Sequence, residues 1–455
     1  TPIKSSAASD VYKRQEKKYV DVETTSSTAA DQDVYTPIAA SERMKSRDVF
    51  MIFVGLWVAM FSVNIGMAVG QSLSVGPAIL ATILGYAICG GFAVLTGLIG
   101  QKIGLPSYTL IKLSMGSLGQ ILISFIMFLA VSVDSLGMQA DIVGRSFCET
   151  FSISYTPVIS GVVCAIMMVS AILGMKVMAK VSWVAMPFFF VIALIATIMV
   201  IHRYEGGFSA ILAIENNTMT FGKAIFLNAG AWAAGAMVIP DLTRFIKTPK
   251  AVAISVPASF LVGAIPPICG VILGATLGES LDAVFVKVGM SILGFIGVFA
   301  IGWTTNDNNA YTAGLALNTA LYPFKRLTRR TTTIIVAILA VAGACFGLGS
   351  LGFISFVAVF QGSFNMSLVG VMIAHYFVVS REVNRKGTYL QTTGFSGLIA
   401  WFISGMLTYN NLLPLPFITN AVLAFVLYLA LFYGIERKFK NVKEVPKVTP
   451  PRRVV

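Results

Sequence analysis

About 20 consecutive apolar residues carry a helix through the hydrocarbon core of a bilayer, and this chain contains twelve stretches of that kind. They run roughly over 48–72, 76–98, 118–142, 157–174, 181–201, 222–243, 251–276, 286–314, 332–349, 352–379, 393–409 and 416–434. Over 455 residues, 56% are hydrophobic and only 12% charged, far more apolar than a typical soluble globular protein. The expectation is an all-α polytopic membrane protein with twelve transmembrane helices. Because lipid offers no hydrogen-bond partner, each polar group within such a span must face protein, water or a ligand.

One stretch breaks that constraint conspicuously. Gly302 to Gly314, GWTTNDNNAYTAG, places six polar side chains in a row, Thr304 to Asn309, after the apolar run SILGFIGVFAI. On a helix, Thr305, Asn308 and Thr312 fall at i, i+3 and i+7, so one side of span 8 points polar groups inward. It is the first candidate for a site.

The net charge of +13 could suggest nucleic acid, but its distribution speaks for membrane orientation. Lys and Arg cluster at Arg43 to Arg47, Lys102 and Lys112, Lys176 and Lys180, Arg244 to Lys250, Lys325 to Arg330, Arg381 to Lys386, and beyond Arg437. Those are alternate loops and both ends, so the positive-inside rule puts both termini in the cytoplasm of a plasma-membrane protein, the inner membrane if the source is bacterial. Cysteines 89, 148, 164, 269 and 345 lack metal-ligand spacing and read as free thiols. His202 and His375 lie near span ends, where an interfacial position is expected. Neither a His pair nor a metal motif is available for a membrane-embedded hydrolase, so no enzyme is expected.

Residues 1–46 are polar and read as a disordered tail, of which 1–15 resemble a cloning or sequencing remnant. No cleavable signal peptide is expected, since the first apolar stretch is long and begins only near residue 48. Residues 47–380 hold ten spans, 381–436 two more, and 437–455 a basic tail.

Span 1 contains Asn64, Gly66, Gly70 and Gln71 ahead of Pro77; span 6 contains Asn228, Gly230, Gly235 and Pro240. Two loosened helices five spans apart point to a transporter built from inverted repeats, whose broken helices expose backbone groups to substrate and ion. The competing reading is close helix packing through glycine. Span 3 adds Asp134 deep in an apolar run, with Asp141 and Arg145 nearer its end, where they read as an interfacial pair. A buried carboxylate costs about 2.5 to 3.5 kcal/mol on the insertion scale, so Asp134 needs a partner.

The segments 302–314, PDLTRFIKTPKAV (240–252), GQKIGL (100–105) and SMGSLG (114–119) resemble the cytosine permease branch of the nucleobase:cation symporter family. That resemblance runs from about residue 47 to about 440. It implies a five-plus-five inverted repeat with helices 1 and 6 broken, two further C-terminal helices, alternating access, and sodium-coupled uptake of a nucleobase or similar heterocycle. It also implies roles for residues. The sodium ligands match Thr304 and Thr305, with backbone carbonyls in the Trp57 to Phe61 region. The aromatic that stacks on the base matches Trp232, and an amide that reads the base matches Asn306. A second stacking aromatic is replaced by Asp134, a neighbouring glutamine by Val131, a serine by Ala231, and a further span 8 asparagine by Ile301. Asp134 is therefore expected to grip an amino-bearing or amidine-like edge of a substrate other than cytosine itself. The alternatives are a proton-coupled symporter with Asp134 as proton carrier, or a channel lined by the span 8 polar run. No cofactor beyond the coupling ion, no nucleic acid and no obligate protein partner is implied.

Overall fold

The computed structural model describes residues 33–131, 136–278, 290–347, 351–381, 384, 389–438 and 443–445, with backbone alone at residues 60, 351–361 and 443–445. Span 1 is a broken pair, α1 (Ser46–Trp57) and α2 (Met60–Ser72), bent by 51°. Span 2 is α3 (Val75–Ile103), span 3 is α4 (Ser107–Ala130) continued by α5 (Leu136–Phe151), span 4 is α6 (Pro157–Leu173) and span 5 is α7 (Met175–Arg203). A short α8 (Gly207–Leu212) precedes span 6, which comprises α9 (Phe221–Gly230), α10 (Ala233–Val238) and α11 (Pro240–Thr243) and bends by 43°. Span 7 is α12 (Pro249–Gly263) with α13 (Ile265–Leu277), span 8 is α14 (Ser291–Leu321), and span 9 is α15 (Arg329–Cys345). Spans 10 to 12 are α16 (Leu351–Ala374), extended by a π-helical turn His375–Val379, α17 (Phe395–Tyr409) and α18 (Pro416–Gly434). Each of the twelve apolar stretches of the sequence is helical over most of its described residues.

The packing shows the repeat. Span 1 lies against span 7 (α1 on α12, α2 on α13), and span 6 lies against span 2 in the same way. Likewise α1 touches span 5 while α10 touches span 10, and spans 3 and 8, and 4 and 9, pack on each other. Exchanging spans 1 to 5 with 6 to 10 maps each of these pairs onto another, as two five-span repeats require.

Span 1 differs in detail from its sequence reading. Its break falls at Val58 and Ala59, both extended, and not among the glycines further on. Gly66 and Gly70 serve packing instead. A Cβ on Gly66 would meet the Pro267 carbonyl oxygen at 2.1 Å, and one on Gly70 the Val271 oxygen at 2.1 Å. Facing them, Gly270 and Gly274 would meet the Val63 and Met67 oxygens at 2.4 and 2.2 Å. Two small-xxx-small stripes thus bring α2 and α13 into backbone contact. Gly270→Ala is expected to cost about 1 to 3 kcal/mol of overpacking, more than the gain that Gly→Ala gives in an open helix. The measurement is the melting temperature in detergent; an unchanged value would refute the backbone contact.

Residues 33–45, within the stretch that composition alone assigns to a disordered tail, cross the face where the 2–3 loop and the ends of spans 6 and 8 meet. They have something to bury: Val34, Tyr35 and Ile38 are all buried. The Tyr35 hydroxyl donates to Gln120 Oε1 at 2.6 Å, its ring lies 4.4 Å from that of Tyr322, and Lys112 Nζ sits 5.4 Å over it. Desolvation raises the Tyr35 phenol above its ordinary pKa, which keeps it a donor. Arg43 donates to the Ile246 and Gln101 carbonyls at 2.9 and 3.0 Å. The strap therefore joins spans 2 and 6 to spans 3 and 8.

At the other end of the chain, β1 (Tyr389–Gln391) pairs antiparallel with β2 (Lys443–Val445), and Glu436 accepts from the amides of Gly394 and Ser396 at 3.1 Å each, capping α17. Gly116 kinks α4 with φ +63°, and a Cβ there would sit 2.3 Å from the Thr393 oxygen, so this corner needs glycine on both counts. His375 lies near the end of span 10 and is buried, 2.7 Å from the Tyr428 hydroxyl and 2.9 Å from the Leu390 carbonyl. Asp141 and Arg145 pair at 2.8 Å, with Arg145 exposed, and Tyr155 donates to the same carboxylate. All five cysteines are free.

Candidate functional site

The site is built from two helix ends that face each other. α1 stops because Val58 and Ala59 turn extended, Val58 at φ −95°, ψ 92° and Ala59 at φ −125°, ψ 150°. Val58 N–H still donates to the Val54 carbonyl at 3.0 Å, but the carbonyls beyond Val54 end the helix ladder. Trp57 anchors this end. Its Nε1 donates to Ser259 Oγ at 2.9 Å, its ring stacks on Phe260 at 4.0 Å and 27°, and Gly235 and Gly263 leave the space it fills.

Span 6 breaks at Ala231 and Trp232, next to Gly230. Trp232 meets Trp57 edge to face at 5.5 Å and 82°, and Tyr86 at 6.2 Å and 68°. Its carbonyl accepts from Ala236 N–H at 3.0 Å and also from Cys89 Sγ at 3.3 Å, while the Ala236 carbonyl, which Pro240 leaves without a helical N–H, accepts from Thr96 Oγ1 at 2.7 Å. Span 2 thus supplies the donor that pairs the Ala236 carbonyl, as a backbone group at membrane depth requires.

Between the breaks lies a cavity of about 370 Å³, within the size range of small-molecule sites. Ala59, Phe61, Trp232, Thr305, Asn309 and Thr312 contribute to its wall, and it extends to Asn411 in the loop between spans 11 and 12 and to Pro416 at the start of α18. The inward face of span 8 therefore runs Thr305, Asn309, Thr312 at i, i+4 and i+7. Asn308, which the sequence spacing put on that face, turns away and donates to the Thr304 carbonyl at 2.8 Å.

Thr305 is both cavity wall and cross-link, since its hydroxyl donates to the Val58 carbonyl at 3.2 Å across the break in span 1. Two hard oxygens at the negative end of a helix suit sodium, which takes carbonyl and hydroxyl oxygens at such helix ends. Thr304 is fully buried one position back. Its hydroxyl contacts the Ala300 and Ile301 carbonyls at 3.3 and 3.2 Å, and its Cβ lies 3.2 Å from the ideal Cβ position on Gly55. Among the described residues no cluster of three His, Cys, Asp or Glu groups could hold a metal.

Asn306 is fully buried outside the cavity wall and donates to the Leu136 carbonyl at 3.2 Å, where α5 begins. Asp134 lies outside the described residues. Asp307 is buried behind the site and accepts from Ser170 Oγ at 3.0 Å, which in turn accepts from Trp303 Nε1 at 2.9 Å. The structure thus brings together Trp232, Thr305 and the Trp57 to Phe61 turn, and sets Asn306 apart.

The sequence reading gives no individual role to two cavity residues, Gln139 and, within the polar run of span 8, Asn309. Gln139 on α5 is 2% exposed, lines the cavity, and has no hydrogen-bond partner for Oε1 among the described residues. A glutamine is thus present at the cavity although Val131 stands where the resemblance expects one. Asn309 supplies the span 8 amide there. Both are amides at membrane depth; on span 3 the carboxylate of Asp134 is the stronger polar signal, and on span 8 the inward amide stands at i+4 from Thr305 where the i+3 position, Asn308, is equally compatible with a helical face.

Residues 37–396 match the family described as permease for cytosine/purines, uracil, thiamine, allantoin. The cytosine permeases of Escherichia coli K12 and O157:H7 are each 26% identical over 288 residues, covering 61% of this chain and 67% of theirs. The fold is similar to that of Mhp1, a nucleobase-cation-symport-1 family transporter, in a closed conformation with bromovinylhydantoin bound; the TM-score is 0.76 at 18% identity over 91% of this chain and 97% of that one. Inward-facing Mhp1 gives 0.72, also at 18%, over 92% and 96%. A Na+-coupled sialic acid symporter in a substrate-bound outward-open state gives 0.61 at 13%, over 92% and 94%. With the family match spanning most of the chain and the solved folds agreeing across its length, the protein belongs to this permease family and is a transporter rather than an enzyme.

Proposed function

We propose that this transporter imports a nucleobase or related small nitrogenous heterocycle by sodium-coupled symport with alternating access. The observation that carries the reading is the convergence of both helix breaks, the Trp232 ring and Thr305 on one cavity of about 370 Å³. The names of the relatives, cytosine permeases among them, support the substrate class. Trp232 offers a flat face for the ring. Gln139 and Asn309 offer amides that donate and accept along ring edges, and the apolar remainder of the wall excludes water. Asn306, given a substrate edge by the resemblance, acts in this account through the Leu136 carbonyl by holding the start of α5, the helix that bears Gln139. Sodium takes oxygens from Thr305, Thr304 and the Val58 region, and its binding joins span 8 to the end of α1. With both termini cytoplasmic, as the charge pattern indicates, the cavity reaches toward the outer face, and the strap of residues 33–45 closes the inner one.

The test is a screen of purified protein against nucleobases, hydantoins and heterocyclic amines, with and without sodium, read as thermal stability. A ligand that binds only the folded state stabilises it by RT ln(1 + [L]/Kd). A stabilising ring compound whose effect grows with sodium is expected; stabilisation by none of these classes would overturn the proposal.

Asp134 enters as a substrate contact on the strength of the sequence alone. Asp134→Asn is expected to weaken binding of an amino-bearing ring by about 1.5 to 3 kcal/mol, the range for a charge-assisted hydrogen bond, while sodium binding persists. Full affinity in this variant, with loss of pH-dependent uptake, would assign Asp134 to proton transfer instead.

A further inference from the structure

Ser182, on span 5, is fully buried, and its hydroxyl has no hydrogen-bond partner among the described residues. A serine in a membrane helix ordinarily bonds back to a carbonyl one turn earlier, as Thr197 on the same helix does to Ala193 at 2.8 Å. Ser182 forgoes that bond. Leaving a buried hydroxyl unpaired costs about 1 to 3 kcal/mol, so its position calls for a ligand.

The surroundings indicate which. An ideal Cβ built on Gly55 would lie 3.0 Å from Ser182 Oγ, 3.2 Å from Thr304 Cβ and 3.6 Å from Thr304 Oγ1. Only the missing side chain of Gly55 lets these two hydroxyl-bearing residues approach the last turn of α1. That turn is where the helix ladder runs out, one turn from the Val58 carbonyl that accepts from Thr305. Spans 1, 5 and 8 thus present carbonyl and hydroxyl oxygens to one small region at the negative end of a helix.

We propose that Ser182 supplies a further oxygen to the sodium site, so that the ion ties span 5 as well as span 8 to the end of α1. This rests on the sodium reading above. A shell completed by three helices comes apart when span 5 shifts away from α1, which would link release of the ion to movement of that helix.

The experiment is a sodium titration of thermal stability on the purified full-length protein, with choline keeping ionic strength constant. Wild type, Ser182→Ala, Ser182→Cys and Thr305→Val are compared. Ser182→Ala should raise the half-saturating sodium concentration about tenfold, in line with the loss of one hydrogen-bonding group to a charge. Ser182→Cys keeps the volume but replaces a hard oxygen with soft sulfur, and should do the same. In choline alone, Ser182→Ala should be at least as stable as wild type, because an unpaired buried hydroxyl has been removed; a merely structural serine would lose stability in both buffers. If Thr305→Val shifts the titration while both Ser182 variants titrate like wild type, the sodium site stands and this inference is overturned. If wild type shows no sodium response at all, the sodium reading fails and takes this inference with it.

Discussion

Trp232→Ala is expected to weaken ring binding about tenfold or more and to abolish detectable uptake at low substrate concentration, whereas Trp232→Phe should be mild. Stacking of a base on an aromatic side chain is worth about 1 to 3 kcal/mol in nucleic-acid binders, and Phe keeps the face that stacks. The expectation depends on the ring being held still. Trp57 and Tyr86 meet it edge to face at 5.5 and 6.2 Å, and Trp57 is itself fixed by Ser259 and Phe260. An interfacial anchor would have an exposed rim, but Trp232 is 7% exposed at the break of span 6. The check is a substrate titration read by thermal shift, with melting in the absence of ligand reporting that the variant folds. Equal affinity in a folded Ala variant would refute stacking.

Thr305→Val should remove most sodium-dependent stabilisation. Valine keeps the shape of threonine but loses the oxygen, and a hydrogen-bond partner to a charged group contributes about 1.5 to 3 kcal/mol, roughly ten- to a hundredfold in sodium affinity. Thr305 carries the larger effect of the two threonines because its hydroxyl already bridges to the Val58 carbonyl at 3.2 Å, while that of Thr304 contacts carbonyls of its own helix. Thr304→Val should therefore show a smaller shift in the same titration. An unchanged half-saturating sodium concentration in Thr305→Val would remove this residue from the cation site.

The twelve spans were legible in the sequence because each must carry its own apolar surface through lipid, a demand that acts locally. The break in span 6 was legible for a related reason, since Gly230 stands next to it. The break in span 1 was not. Its glycines mark where α2 meets the backbone of α13, and a glycine that packs reads the same in sequence as one that bends. Val58 and Ala59 carry no composition signal for an extended turn; what holds the chain there is the packing of Trp57 on Ser259 and Phe260 of span 7 and the bond from Thr305 of span 8, partners about 200 or more positions away. The resemblance places the candidate ion-binding carbonyls in the Trp57 to Phe61 region, and the break falls inside it.

The site was legible in part for the same physical reason. A polar run at membrane depth announced span 8, and helical spacing narrowed it to one side, but a few degrees of rotation decide between Asn308 and Asn309 on the cavity wall. Neighbouring helices set that rotation: Ser170 holds Asp307 and the Leu136 carbonyl holds Asn306 on the far side, which turns Thr305, Asn309 and Thr312 inward. The strap at 33–45 was hidden by the polar composition around it, since three buried side chains, Val34, Tyr35 and Ile38, suffice to dock it.

The central claim, sodium-driven import of a ring compound, is tested most directly by uptake of the best-binding ligand into proteoliposomes under an imposed inward sodium gradient. Saturable uptake above equilibrium that collapses when the gradient is dissipated is the predicted result. Accumulation driven by a proton gradient without sodium, or flux that only equilibrates, would contradict it.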